Sequence, residues 1–584
     1  MKSFLKIFLA SFVALIVFCL ILFFVFVGLV TGLTAPEKEK TGAKAVLVID
    51  LARDYPEIGV ENPLARLSDK EDGDVPALYD VLRLIKYAKK DSAVKGIYLK
   101  CSHNGNGMGN SQELRNALLD FKAAGKFIYA YGDVITQGGY SVANVADKIY
   151  CNPVGGVDWR GYAIQLAFLK GLLQKLEIEP QIFYAGKFKS ATEPFRETSM
   201  TDANRLQLSV MLGDMYGRLL EQTAATRKID TATLHLYANQ YRIQSAADAA
   251  KYGLVDGLKY DDEVKAEIAK KLGVAKIDKL NFIPVSKYAK AVDFKADGKE
   301  KITVIYAQGD IIDGKGDRDM IGSETYRDLI RKARLDDKVK AIVIRINSGG
   351  GSAQASENIW RELTLARKVK PVVVSFGDVA ASGAYYLSCN ADSIFAQTNT
   401  ITGSIGVFTM LPNLQKFFNE KLGITFDGVK TAPEADMLTA TKPLTPAQRK
   451  YLQNSVDSIY FTFKSRVAAG RKKDINYIDS IGQGRVWIGT RAIQLGLVDR
   501  IGGLDDAIAC AARMAKTTDY RLKEYPETHN VLELLFGGYE KEATKSAMKA
   551  ELGEDGIKTW QTIKRVKQIV GVTQTRLPFE FTIE

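Results

Sequence analysis

The 584-residue sequence predicts an α/β protein made of two tandem copies of one parallel-sheet domain, behind a single apolar helix. Three observations predict it. The chain repeats itself once: "VKGIYLKCSHNGNG" (94–107) matches "VKAIVIRINSGGGS" (339–352), "GDVITQGGY" (132–140) matches "GDVAASGAY" (377–385), and "AD" at 146–147 matches "AD" at 391–392. All three pairs share one offset of 245, a register that chance similarity does not hold over such a length. Each copy also alternates β-branched apolar runs with helical patterns. In the second, "KAIVIRI" reads as a buried strand, "SENIWRELTLARK" as a helix and "PVVVSFG" as a strand, the order that gives parallel sheets with crossover helices. Finally, no charged residue falls between Ile7 and Val30.

The elements follow in order. The run from Ile7 to Val30 spans about 30 Å of hydrocarbon at about 1.5 Å per residue, and it is longer than a cleavable signal core of roughly 7–15 residues. Lys2 and Lys6 precede it and nothing basic follows until Lys38, so the amino terminus is expected in the cytoplasm and the body outside it. Residues 1–44 are thus read as stub, anchor (about 7–30) and linker. The first repeat is assigned to 45–290 and the second to 291–525, with the boundary in the stretch around 276–300 that contains "FIPVSKYAKAVDFKADGKEK". Residues 526–584 form an extension, expected to be peripheral. Outside the gap-free core of the repeat, "AVLVIDLA" (45–52) parallels "KITVIYAQG" (301–309), and "YGLVDGLKYDDEV" (252–264) parallels "LGLVDRIGGLDDAI" (495–508).

Composition narrows the function classes. The formal net charge of +12 is spread along the chain, without the basic and aromatic interleaving of a nucleic-acid groove. It suits solubility and an anionic membrane surface. Five cysteines, dispersed and without C-x-x-C spacing, suggest neither a disulfide framework nor a zinc site. The three histidines are His103, His235 and His529, and any Ser-His-Asp triad would draw its base from them.

The copies differ where chemistry would be placed. Ser382 of the second copy aligns with Gln137 of the first, and the run Gly349, Gly350, Gly351 aligns with Asn104, Gly105, Asn106. A tight strand-to-helix turn would expose the Ser382 hydroxyl. The amides of Gly383 and of a glycine near 351 would then face a developing oxyanion. The second copy holds no histidine before the tail, but a lysine serves as base when desolvation keeps its amine neutral. "YAGKFKSATEPF" (184–195) carries Lys187 and Lys189, and the loosely aligned "DGVKTAPEADML" (427–438) has Ala435 near the place of Lys189. Spacing alone does not choose between a Ser–Lys pair and ordinary solvated lysines.

Four motifs, "GDVAASGAYYL" around Ser382, "TGSIGVF" (402–408), "KSATEPF" (189–195) and "GRVWIGTRAIQLGLVD" (484–499), decide the matter by likeness. In this order they resemble the long, duplicated form of the signal peptide peptidase A (protease IV) family, peptidase family S49. The resemblance covers nearly the whole chain, and it implies ClpP/crotonase-like repeats. It also implies that Ser382 is the nucleophile, Lys189 the general base and Ser404 a hydroxyl that orients the lysine, with Gly383 and Gly351 as oxyanion donors. No metal or cofactor is implied. The implied substrates are cleaved signal peptides and other apolar unfolded peptides, and the implied assembly is a membrane-anchored homotetramer with its sites in a chamber. One departure is visible: the family's usual N-S-P-G-G reads "NSGGG" here, with Gly349 in place of proline. The alternatives are a crotonase-like acyl-CoA enzyme, which would be cytoplasmic, and a catalytically silent membrane scaffold.

Overall fold

The computed structural model describes residues 2–33, 40–59, 75–317, 319–527 and 571–577. The first repeat forms a parallel sheet of β1 (Ala45–Asp50), β2 (Val94–Lys100), β3 (Phe127–Ile135), β4 (Lys148–Val157), β6 (Gly257–Leu258) and β7 (Phe282–Pro284), while β5 (Glu179–Ala185) leaves it for another sheet. Its strand order is β6-β4-β3-β2-β1-β7. In the second repeat, β8 (Glu300–Gln308), β11 (Val339–Ser348), β13 (Val372–Ala381), β14 (Ser393–Ala396), β18 (Arg500–Ile501) and β19 (Tyr520–Tyr525) pair in the equivalent order, β18-β14-β13-β11-β8-β19. The repeat seen as letters is therefore a repeat of topology. Central strands such as β11 are buried along nearly their whole length because crossover helices cover both faces, so they read as continuous β-branched runs.

A third, mixed sheet positions the site. It runs β10 (Met320–Gly322), β9 (Asp310–Ile312), β12 (Gly350–Ser352), β20 (Gln574–Arg576), β16 (Val407–Asn413), β5. The remaining strands, β15 (Ile401–Gly403) and β17 (Val486–Ile488), extend the second-repeat sheet beside β13. The third sheet thus joins β5 of the first repeat to the second repeat, with β20 from the C-terminal extension between β12 and β16. The expectation of a peripheral tail is corrected for residues 571–577. Backbone pairing holds this strand in place, and its polar sequence carries no apolar periodicity that would have marked it.

The repeats also meet at a buried ionic seam. Arg345 of β11 donates from Nε to Glu57 at 2.9 Å, lies 2.7 Å from Glu113, and donates to Asn110 Oδ1 at 2.9 Å. Arg345, Glu57 and Glu113 are all buried, so each charge depends on its partners for the solvation it has lost.

The amino-terminal helix spans Lys2–Leu33, and Phe8, Phe12, Leu15 and Phe18 on it are exposed. Among the described residues no helix is long and apolar enough to cross a membrane. The predicted anchor, about residues 7–30, lies partly outside the described side chains of that helix.

Candidate active site

Ser382 sits where β13 ends and the helix Gly383–Ser388 begins. Its backbone is held at φ 57° and ψ −113°, a conformation unfavourable for a serine by about 1–3 kcal/mol. Two bonds over-determine it: the Ser382 amide donates to Gly403 O at 2.8 Å, and the Tyr386 amide donates to Ser382 O at 2.7 Å. The small neighbours are required by space. A methyl group on Gly383 would lie 2.6 Å from Ser356 Oγ and 2.9 Å from the Thr575 carbonyl oxygen.

Lys189 lies in the loop after β5, where the turn Ser190–Thr192 begins. The loop is tied down from several directions. Phe188 N donates to Gln483 O at 2.7 Å and Lys189 N to Gly186 O at 3.0 Å. Gln207, on the helix Asp202–Arg227, donates to Ser190 Oγ at 2.9 Å and to Phe188 O at 3.2 Å, and accepts from Val486 N of β17 at 3.3 Å. The buried carboxylate of Glu193 accepts from Thr201 Oγ1 at 2.5 Å and from Asn204 Nδ2 at 2.8 Å.

These ties bring the lysine amine to the serine. Lys189 Nζ lies 2.9 Å from Ser382 Oγ, 3.0 Å from Ser404 Oγ and 3.4 Å from Ser404 O, and it also donates to the Arg576 carbonyl. Burial pushes the amine well below its ordinary value of 10.5. An uncharged amine beside a hydroxyl can take its proton, which is the chemistry of a general base. Ser404 itself follows β15 at φ 50°, its amide bonded to Arg485 O at 2.7 Å. Lys187, the competing lysine, is exposed and lies over the Phe188 ring.

The glycines divide. Gly383 directly follows the serine. Gly351 pairs with Ile311 of β9 on one side and Thr575 of β20 on the other. Gly350, which the sequence reading did not single out, lies tight against both β20 and Gly383. It has φ +97°, and a methyl there would lie 2.2 Å from the Thr575 oxygen and 2.7 Å from Gly383 N. Its own amide donates to Ser348 Oγ at 3.1 Å. The Thr575 carbonyl therefore lies at the corner formed by Gly350 and Gly383.

The equivalent place in the first repeat is closed. Buried Gln137 accepts from the amides of Arg160 and Gly161 at 2.9 and 2.8 Å and donates to Gly161 O at 2.7 Å. Trp159 stands where the 245 offset would put Ser404. A cavity of about 1300 Å³ opens between the repeats, with Met108, Phe195, Met215, Val379, Phe408 and Leu577 among its apolar walls. His103 lines its first-repeat side, and His529 lies outside the described residues.

Comparison with known proteins places these paired α/β repeats among the serine-type proteases. The model of peptidase family S49 matches residues 120–275 and again 364–518. Protease 4 of Salmonella typhi is 38% identical over 468 residues, covering 79% of this chain and 75% of that protein. Protease 4 of Haemophilus influenzae is 35% identical over 448 residues, covering 75% and 72%. The chloroplastic serine protease SPPA of Arabidopsis thaliana is 34% identical over 438 residues, covering 73% and 64%. The chain belongs to peptidase family S49 and carries the family's domain twice. A ClpP1 mutant of Listeria monocytogenes is similar in structure at 14% identity over 35% of this chain and 94% of that one, with a TM-score of 0.24.

Proposed function

We propose that this chain is a membrane-anchored endopeptidase that hydrolyses cleaved signal peptides and other apolar, unfolded peptides through a Ser382–Lys189 dyad. The observation that carries this reading is the 2.9 Å approach of a buried lysine amine, its pKa lowered by burial, to a serine hydroxyl at a strained turn. Lys189 Nζ accepts the Ser382 proton as Oγ attacks the scissile carbonyl, and backbone amides beside Gly383 and in the glycine run hold the oxyanion. Protonated Lys189 then gives its proton to the leaving amine. A water, deprotonated by the same amine, hydrolyses the acyl-enzyme. Ser404 Oγ accepts an amine N–H and keeps the nitrogen lone pair on Ser382.

The apolar walls of the cavity between the repeats suit an apolar extended substrate. The uncharged run from Ile7 to Val30 supplies the anchor, with the body on the outer face of the cytoplasmic membrane. A homotetramer would enclose the sites in a common chamber.

The substrate class is tested by presenting two peptides of equal length in detergent micelles, one with an apolar signal-like core and one fully polar. Faster cleavage of the apolar peptide, by about tenfold in kcat/KM, is expected. Equal rates, or preference for the polar one, would remove signal peptides as the substrate class.

A further inference from the structure

Among the described residues two arginines are more than nine-tenths buried, and one of them has counter-ions. Burial opposes the charge on Arg345, but Glu113 and Glu57 outweigh it and hold its pKa above the ordinary 12.5. Arg115, on the helix Met108–Lys122, is 4% exposed and pairs with no carboxylate among the described residues. Burial pushes its guanidinium down to about 10, with Tyr140 acting the other way. Its acceptors are neutral: Nη1 donates to Ser141 O at 3.0 Å and to Asn144 Oδ1, and Nη2 donates to Gln222 O at 3.5 Å. A guanidinium has five N–H groups, so one on Nε and one on Nη2 keep no acceptor among the described residues.

The surroundings of Arg115 point to an outside partner. It lines the first-repeat end of the cavity between the repeats, beside Gln112, Gln222 and Leu219, and the same cavity reaches Gly349 and Leu577 at the glycine run of the second repeat. The two other arginines on its walls are neutralised, Arg160 by Asp158 at 2.5 Å and Arg576 by Asp310 at 2.5 Å. The fold itself does not require a cation here. Trp360 stands at the equivalent position of the second repeat, and Arg466, 4.0 Å over its ring, is paired with Glu357 at 2.8 Å. A buried charge without a counter-ion is destabilising. A planar guanidinium with N–H groups to spare on Nε and Nη2 is shaped to take a carboxylate through two hydrogen bonds.

We propose that Arg115 is a subsite for the free C-terminal carboxylate of a peptide substrate, so that the protein favours peptides already released by an earlier cleavage over internal segments of intact chains. This rests on the peptidase reading of the site. The peptide lies across the cavity, its carboxylate in the first repeat and its scissile bond at Ser382 in the second. A chain that continues past this point, or ends in an amide, leaves the guanidinium without its anion.

Binding tests this without hydrolysis, in full-length chains carrying Ser382→Ala in a neutral detergent. The probes are three dansyl-capped peptides of one alanine–leucine sequence. The first ends in a free carboxylate, the second in a carboxamide, and the third in a carboxamide with glutamate as its last residue. The free acid is expected to bind at least about tenfold more tightly than either amide. Equal binding of the first two would overturn the proposal, and so would a glutamate amide that binds as well as the free acid. Arg115→Met should bring all three within about twofold, and a preference that survives it would place the carboxylate elsewhere and overturn the assignment.

Should Arg115→Met fail to fold, Gln112→Glu keeps Arg115 and sets a carboxylate one turn away on the same helix. It also keeps the acceptor that Gln222 Nε2 uses at 2.6 Å. This variant should erase the preference for the free acid, and its retention would overturn the proposal equally. A failed peptidase reading shows separately, as absence of hydrolysis of all three peptides by the chain with Ser382 intact.

Discussion

Lys189 Nζ and Ser382 Oγ lie 2.9 Å apart although 193 residues separate them in sequence. Each comes from a different repeat, so neither domain alone holds both groups. The strain at Ser382, the four-way tie on the Lys189 loop and the mixed sheet joining β5 to β16 all serve this one contact.

Replacing Lys189 with methionine separates chemistry from stability. The unfolded chain protonates this amine near 10.5, and the native chain does so well below that. Between those two values the unfolded state binds more protons, so this residue makes stability rise with pH, with a slope approaching about 1.4 kcal/mol per unit. Lys189→Met should abolish hydrolysis, flatten that slope and leave the protein at least as stable at neutral pH. Urea unfolding at several pH values checks it. For the wild type, kcat/KM should rise with pH as the amine loses its proton.

Ser404→Ala keeps the backbone carbonyl near the amine but removes the hydroxyl 3.0 Å away. The lysine then samples orientations that do not face Ser382. We expect kcat to fall about 10–100-fold with KM little changed, since positioned proton transfer contributes about 10²–10⁴. Steady-state kinetics on one peptide decide it.

Glu193 never touches the serine, yet its carboxylate takes hydrogen bonds from Thr201 and Asn204 and fixes the loop that carries Lys189. Glu193→Ala leaves the buried Asn204 amide without its acceptor, at about 1–3 kcal/mol, and frees the half-buried Thr201 hydroxyl. Thermal unfolding should show a Tm several degrees lower, with loss of activity. Glu193→Gln, which preserves an acceptor, should recover part of both.

Asp378 precedes Ser382 on β13 at the seam between the repeats. It accepts from Asn110 N at 2.8 Å and from Asn347 Nδ2 at 3.3 Å. Burial pushes its carboxyl up to about 6, with Glu57 adding to the rise and the Asn110 amide and Arg345 opposing it. Between an unfolded value of 3.8 and about 6, the native state binds more protons, so this residue makes stability fall as pH rises through that window. Asp378→Asn should remove that fall and stabilise the protein at pH 7. Denaturant titrations at pH 4.5 and 7 compare the two.

The fold was legible because a duplicated sequence keeps its register: the 245 offset linking 94–107 to 339–352 is also the offset between the starts of β2 and β11. Ser382 stood out as the place where one copy has a hydroxyl and the other Gln137. Lys189 did not emerge from spacing, since burial is what separates it from Lys187, and burial is not written in a loop sequence. Only the K-S-A-x-E-P-F context picked it out. β20 was missed for a related reason. A strand held by its backbone between two others needs no apolar alternation, and "TQTR" offers none. The tight approach of Gly350 depends on that same strand, so it was equally hidden.

The account's central claim is a dyad shared between the repeats. It is tested most directly by measuring kcat/KM on one signal-like peptide for wild type, Ser382→Ala and Lys189→Met, with circular dichroism confirming equal folding. Loss of at least about 10³-fold in both variants is the predicted result. Full activity in Lys189→Met beside an inactive Ser382→Ala would contradict it, because the base would then lie elsewhere.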